Sequence, residues 1–126
     1  MSIETLLAHI RELQARRRQI LASLRLPPEG LPGSLVQSRG RCGSVGCHCQ
    51  QGEGHPSWTL TFMVDGNKRV EHIPHELIDA VQKRVEQGKA YKSGVAELMA
   101  INAQLLVFER RARKQREAER KRRAGR

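Results

Sequence analysis

The chain reads as a small α+β protein, mainly helical, with a long N-terminal helix, a zinc-binding loop, a β-hairpin and then two C-terminal helices. Three observations lead to this reading. Apolar residues recur at steps of three and four in two long segments. They alternate with polar ones over residues 57–64, and a run dense in cysteine, histidine and glycine lies between the first helical segment and that alternation.

In residues 3–24, Ile3, Leu6, Ile10, Leu13, Ile20 and Leu24 keep the three-and-four step, and Arg17 takes the one place in the series that should be apolar. The stripe suits a coiled coil and a plain amphipathic core helix equally. Ser2 is the expected N-cap, with Thr5 the choice for a shorter helix, and the proline- and glycine-rich LPPEGLPG at 26–33 ends the helix. Trp58, Leu60, Phe62 and Val64 alternate with Ser57, Thr59, Thr61 and Met63, the period of a half-buried strand. Asp65-Gly66-Asn67 then supplies a tight turn into a return strand, Lys68 to Ile73. Pro74 suits the first turn of a helix carrying Leu77, Ile78, Val81 and Val85, which Gly88 is expected to stop. A last helix, starting between Lys89 and Val95, sets Leu98, Ile101, Leu105, Phe108 and Ala112 on one face. Its stripe matches the first one, so the two long helices pair in a coiled-coil-like way, either within one chain or between two copies in a homodimer.

One domain is expected, in four segments: an amphipathic helix at 1–26, the zinc-binding loop and hairpin at 33–74, a helical region at 75–108 and a basic tail at 109–126. With 126 residues and only Trp58, Tyr91, Phe62 and Phe108 as aromatics, the core is modest and a metal staple would help it. The net charge of +10 favours polyanionic partners. Residues 109–126, ERRARKQREAERKRRAGR, hold ten basic and three acidic residues, so most of the excess is this one tail. The opening MSIETLLAHIRELQ is too interrupted by charge for a signal peptide, and no segment has the roughly 18 apolar residues of a membrane span. A cytoplasmic protein is expected, with its cysteines reduced and available to metal.

The run RGRCGSVGCHCQQGEGHPSW, residues 39–58, holds all three cysteines of the chain together with His48 and His55. Written out it is Cys42-x4-Cys47-x-Cys49-x5-His55. A structural zinc ion takes four thiolate or imidazole ligands in a tetrahedron, and Cys42, Cys47, Cys49 and His55 make a three-Cys, one-His set. The glycines of the run allow a backbone that folds back around one ion, and Arg39 and Arg41 offset the thiolate charge. Cys47-x-Cys49 is tighter than the usual pair, so redox-active or free thiols are the competing reading, with an iron or copper site behind them. His48, wedged between two ligands, is the less favoured fourth ligand. His72 and His75 read as surface or half-buried residues, and His9 as a bystander between core positions.

Four protein ligands leave a zinc ion no open position for catalysis, and Glu53 is the only acid in the loop. No nucleophile elbow, phosphate-cradling glycine loop or paired carboxylates occur, so an enzyme is not expected. The basic residues suggest nucleic acid instead. Arg110, Arg111, Arg113, Lys114, Arg116, Arg120, Lys121, Arg122 and Arg123 could neutralise phosphates, while Arg39, Arg41, Lys68 and Arg69 around the loop and hairpin could supply specificity. Glu109, Glu117 and Glu119 stand at helical spacing from Arg113, Arg120 and Arg123, but such pairs cannot absorb the tail's charge.

GSLVQSRGRCGSVGCHCQQGEGH, the hairpin, KRVEHIPHELIDAVQ and AINAQLL together resemble small uncharacterised bacterial proteins encoded beside transposase genes in mobile elements. The likeness runs from Gly33 to Leu106, with HPSW after the histidine and the long basic tail as its two departures. The resemblance implies a zinc-finger-like metal knuckle of unassigned activity, with Cys42, Cys47, Cys49 and His55 as its ligands. Two functions follow as expectations: a zinc-binding, DNA-associated accessory protein linked to a transposase, or a protein-protein interaction module, a regulator whose amphipathic helices form a coiled coil with a transposase or another enzyme. An RNA- or ribosome-associated zinc protein is the third, and the lack of aromatics argues against a reader of single strands.

Overall fold

The computed structural model describes residues 1–40 and 55–125, and these form helix α1 (Ile3–Ser23), strands β1 (Ser34–Gly40), β2 (His55–Val64) and β3 (Asn67–Ile73), a single 3-10 turn (His75–Leu77) and helix α2 (Ile78–Ala124). They group into two compact units, one made of Met1–Leu26 with Tyr91–Arg126 and the other of Pro27–Ala90. The small, mainly helical α+β class holds. Two expectations about its elements change, and both changes have physical causes in the packing.

The helical unit is an antiparallel pair. α1 starts where its cap dictates: Ser2 Oγ accepts a hydrogen bond from the Thr5 N–H at 3.2 Å. Its stripe is spent against α2, with Leu6, Ile10 and Ile20 buried beside Ile101, Leu105 and Ala112, and Ile3, Leu13, Leu24, Leu98 and Phe108 packed around them. Fully burying each large aliphatic side chain stabilises by about 1.5–3 kcal/mol. Contacts rising along α1 descend along α2: Gln115 Nε2 donates to the Met1 carbonyl at 2.8 Å, His9 stacks on Phe108, and Leu24 lies against Gly94. Arg17, the one interruption of the stripe, donates from Nη1 to Asn102 Oδ1 at 3.0 Å. The question of pairing within or between chains is thus answered for these stripes, which meet inside one chain.

The other unit is a three-stranded antiparallel sheet in the order β1-β2-β3. Asp65 and Gly66 both have positive φ, 50° and 80°, and link the register partners Val64 and Asn67 as a two-residue hairpin turn of the primed type. β1 is a strand that sequence patterning did not separate from the loop. It pairs with β2 from Ser34↔Thr61 to Gly40↔His55. Leu60, Val81 and Val85 are buried, with Leu31, Leu35, Phe62 and Ile73 packed against them, so the start of α2 covers one face of the sheet. At the head of β1, Gly33 has φ +84° and any Cβ there would collide with the Thr61 carbonyl.

The second change is that the two expected C-terminal helices are one. Gly88 does not stop α2; it is buried inside it, where a Cβ would collide with the Leu31 carbonyl oxygen. The Leu31 N–H donates to the Arg84 carbonyl at 3.0 Å and Arg84 Nε donates to the Glu29 carbonyl at 2.7 Å, so the proline-rich segment is fastened to the helix where the glycine lets it approach. Tertiary contact has overridden a local helix breaker.

Gly94 is also helical, but a Cβ there would meet only the far end of the Leu24 side chain, at 2.7 Å. Gly88→Ala should therefore lower the urea midpoint by an amount equivalent to about 1–3 kcal/mol, whereas Gly94→Ala should be near neutral because helix propensity gains about 1 kcal/mol. Equal costs would show that the Leu31 contact is not what requires Gly88.

Arg16 grips Glu97 with both nitrogens, Nε to Oε1 at 2.6 Å and Nη2 to Oε2 at 2.9 Å. The hydrogen bond from Arg16 is the main cause that holds the Glu97 carboxyl below its ordinary range, with burial opposing it. Because the folded-state value is the lower one, the stabilisation is present above the ordinary carboxylate range and is lost as pH falls through the depressed value. Being exposed, the pair contributes little. Glu97→Gln should unfold slightly earlier than the parent near neutral pH, and the difference should shrink progressively as pH is lowered below the ordinary carboxylate range, measured as urea midpoints.

Candidate functional site

Arg41, Cys42, Cys47, His48 and Cys49 fall in segment 41–54, outside the described residues. The two ends of that segment are placed. Gly40 closes β1 and His55 opens β2, and the two are register partners, so the cysteine run connects the paired ends of a long hairpin. His55 is half-buried, two places before the half-buried Ser57 and three before Trp58. Of the four expected metal ligands, it is the one whose surroundings can be stated. Among the described residues there is no group of three or more His, Cys, Asp or Glu side chains arranged to hold a metal.

The three expected specificity residues that are described, Arg39, Lys68 and Arg69, do not all share one face of the sheet. Leu35, Leu60, Phe62 and Ile73 mark the face of the sheet that α2 covers. Arg69 pairs with Phe62 and Arg39 with Pro56, so both belong to the parity of that covered face. Lys68 pairs with Met63 and belongs to the opposite face, beside Val70 and His72 one and two alternations on. His72 and His75 are exposed, as their sequence context suggested. His75 helps line a pocket of about 310 Å³ with Gln37, Pro56, Trp58, His72 and Ile73, at the end of the sheet from which the cysteine segment departs.

The basic segment is helical to Ala124, and its described arginines and lysines are exposed. None of the intrahelical pairs from Glu109, Glu117 or Glu119 is formed, whereas Arg16 and Glu97 do form an ion pair. On an exposed helix surface such pairs are worth only a few tenths of a kcal/mol, too little to hold long side chains in place. One arginine is positioned by packing instead: the Arg111 guanidinium lies 5.9 Å from the centre of the Phe108 ring, whose plane is stacked at 5.6 Å on His9. His9 is thus a packing residue, which its place between two core positions could have indicated. Arg113, Arg116 and Arg120 line a groove of about 630 Å³ with Glu109 and Glu117, over the apolar side chains of Leu7, Ile10 and Ala112.

These features define a class: a small α+β protein in which a three-stranded sheet carries a cysteine-rich hairpin connection and a basic helix ends the chain. Residues 10–83 match the family described as Domain of unknown function (DUF6788), more than half of the chain, and the protein belongs to that family. The matched region takes in most of α1, the whole sheet with its cysteine segment, and the first residues of α2, and it ends before the basic segment. Its span differs from the stretch Gly33 to Leu106 that carried the resemblance. No curated protein and no solved structure matches the chain. No helix among the described residues is long and apolar enough to cross a membrane.

Proposed function

We propose that this protein is a zinc-stapled nucleic-acid-binding accessory protein, DNA being the favoured ligand, in which the cysteine loop stiffens the sheet and the end of α2 supplies phosphate contacts. The observation that carries the reading is the basic helix end: arginines and lysines from Arg110 to Arg123, exposed, with no ion pair among the described residues. A surface of that kind attracts a polyanion by counterion release. Phosphate contacts alone carry no sequence information.

The metal part rests on donor chemistry and on strand pairing. Three thiolates and an imidazole are a standard structural zinc set. His55 stands across from Gly40, two residues before Cys42, so pairing of β1 with β2 draws the two ends of the ligand set together. Cys42, Cys47, Cys49 and His55 would hold the ion, which would serve as a cross-link that shortens the effective loop. The interaction-module reading needed an unoccupied apolar stripe on the first helix, and that stripe is buried against α2. A coiled coil with a transposase through the same residues would require the helix pair to open.

Reduced, purified protein should carry about one zinc per chain, and removing it with a chelator should lower the unfolding temperature. His55→Ala should lose zinc more readily than His48→Ala in competition with a colorimetric chelator; the opposite order would make His48 the fourth ligand, and no zinc in any preparation would refute the metal.

Binding to random-sequence duplex DNA should weaken steeply with salt. Replacing Arg116, Arg120, Arg122 and Arg123 together by Gln spares every buried residue of the helix pair. It should reduce the slope of log affinity against log salt by about 0.9 for each phosphate that is no longer neutralised. An unchanged slope would remove the tail from the interface.

A further inference from the structure

We infer that the uncovered face of the three-stranded sheet is a base-reading surface that seats in the major groove of duplex DNA. The inference rests on the nucleic-acid reading above and adds to it the element that would read sequence. Apart from Lys68, it concerns residues other than the basic ones considered so far.

The register fixes which side chains share this face. Ser34, Thr61 and Val70 lie side by side across the three strands, and Val36, Thr59 and His72 form the next row. Ser38 with Ser57 continues the face toward the cysteine segment, and Met63 with Lys68 continues it toward the hairpin turn. Val36, Met63 and Val70 are 46%, 59% and 55% exposed, and among the described residues no element covers them. The opposite face is the one committed to Val81 and Val85 of α2.

Three properties of the face select its occupant. It carries no carboxylate, since the only acid of the sheet, Glu71, pairs with Leu60 and so belongs to the covered side, and it does carry Lys68, whose ammonium can donate to guanine O6 and N7 at a base edge. A phosphate-walled groove is thus met without repulsion. The side chains are mostly short hydroxyls and methyl-bearing groups, which donate to or accept from base edges and pack on thymine methyls. Two adjacent strands about 4.8 Å apart form the two-stranded ribbon that a major groove about 12 Å wide admits and a minor groove about 6 Å wide does not. The major groove of A-form RNA is too deep and narrow for side chains to read, and its shallow minor groove is recognised mostly by shape and by 2′-hydroxyl and phosphate contacts. Protein interfaces are enriched in aromatic anchors, and this face has none.

The test is selection from a random-sequence duplex library by the full-length protein, run beside the Thr59→Val/Thr61→Val double variant and Lys68→Gln. Valine keeps the strand preference and shape of threonine while deleting its hydroxyl. The expected result is a defined preferred sequence for the parent, and a preference weakened about fivefold or more in the variants with affinity for random duplex retained. Lys68 is exposed at the sheet edge, so its variant keeps the test decisive should the threonine pair prevent folding. Salt-sensitive binding without any preference, or a preference that folded variants keep, would overturn the inference and leave the tail's role standing. Selective capture of RNA over duplex DNA would overturn it too. Absence of all duplex binding would overturn both readings together.

Discussion

The pairing of β1 with β2 is the constraint on which most of this structure depends. It spans seven register pairs, and it has to be made across segment 41–54, so the conformational entropy of closing that connection is set against the ladder. Side-chain parity follows from the register: a slip of one residue would move Leu35 off the core and turn Val36 into it. At the far end Gly33 suits the observed register, because any side chain in its place would collide with the Thr61 carbonyl. A metal in the cysteine connection would work toward the same end from the other side, by reducing the entropy that the ladder must offset.

What could be read in the sequence was local. The cap at Ser2, the stripes of α1 and α2 and the Asp65-Gly66 turn are each written within a few residues, and all are found where their spacing puts them. β1 was not legible because Leu35 and Val36 are its only apolar residues, and its partner lies beyond the cysteine segment. Gly88 misled for the opposite reason: its local meaning is a stop, and its actual meaning is set by the Leu31 carbonyl, remote in sequence. The site divides in the same way. The ligand types and the basic segment are plain in the residues themselves, whereas the position of His55 opposite Gly40 and the separation of neighbouring Lys68 and Arg69 onto different faces need the strand register.

Charge is unevenly managed along the helix pair. Arg16 and Arg17 are answered across the pair by Glu97 and Asn102, and these two contacts lie away from the basic end. Toward Ala124 the cations have no such counterpart among the described residues. That end of α2 therefore carries an electrostatic self-repulsion which a bound polyanion would relieve, so ligand and helix would stabilise each other.

The strand order also leaves the sheet with two unlike borders. β3 presents Lys68, Arg69 and Glu71 along its length, and charge of this density discourages a further strand from adding there. β1 has Arg39 as its one charged residue, with Leu35, Val36 and Gln37 before it. When chains are concentrated, any growth of the sheet from one molecule into the next would be directed to the β1 border. A charge placed at Val36 or Gln37 is the natural means of keeping such preparations free of aggregates.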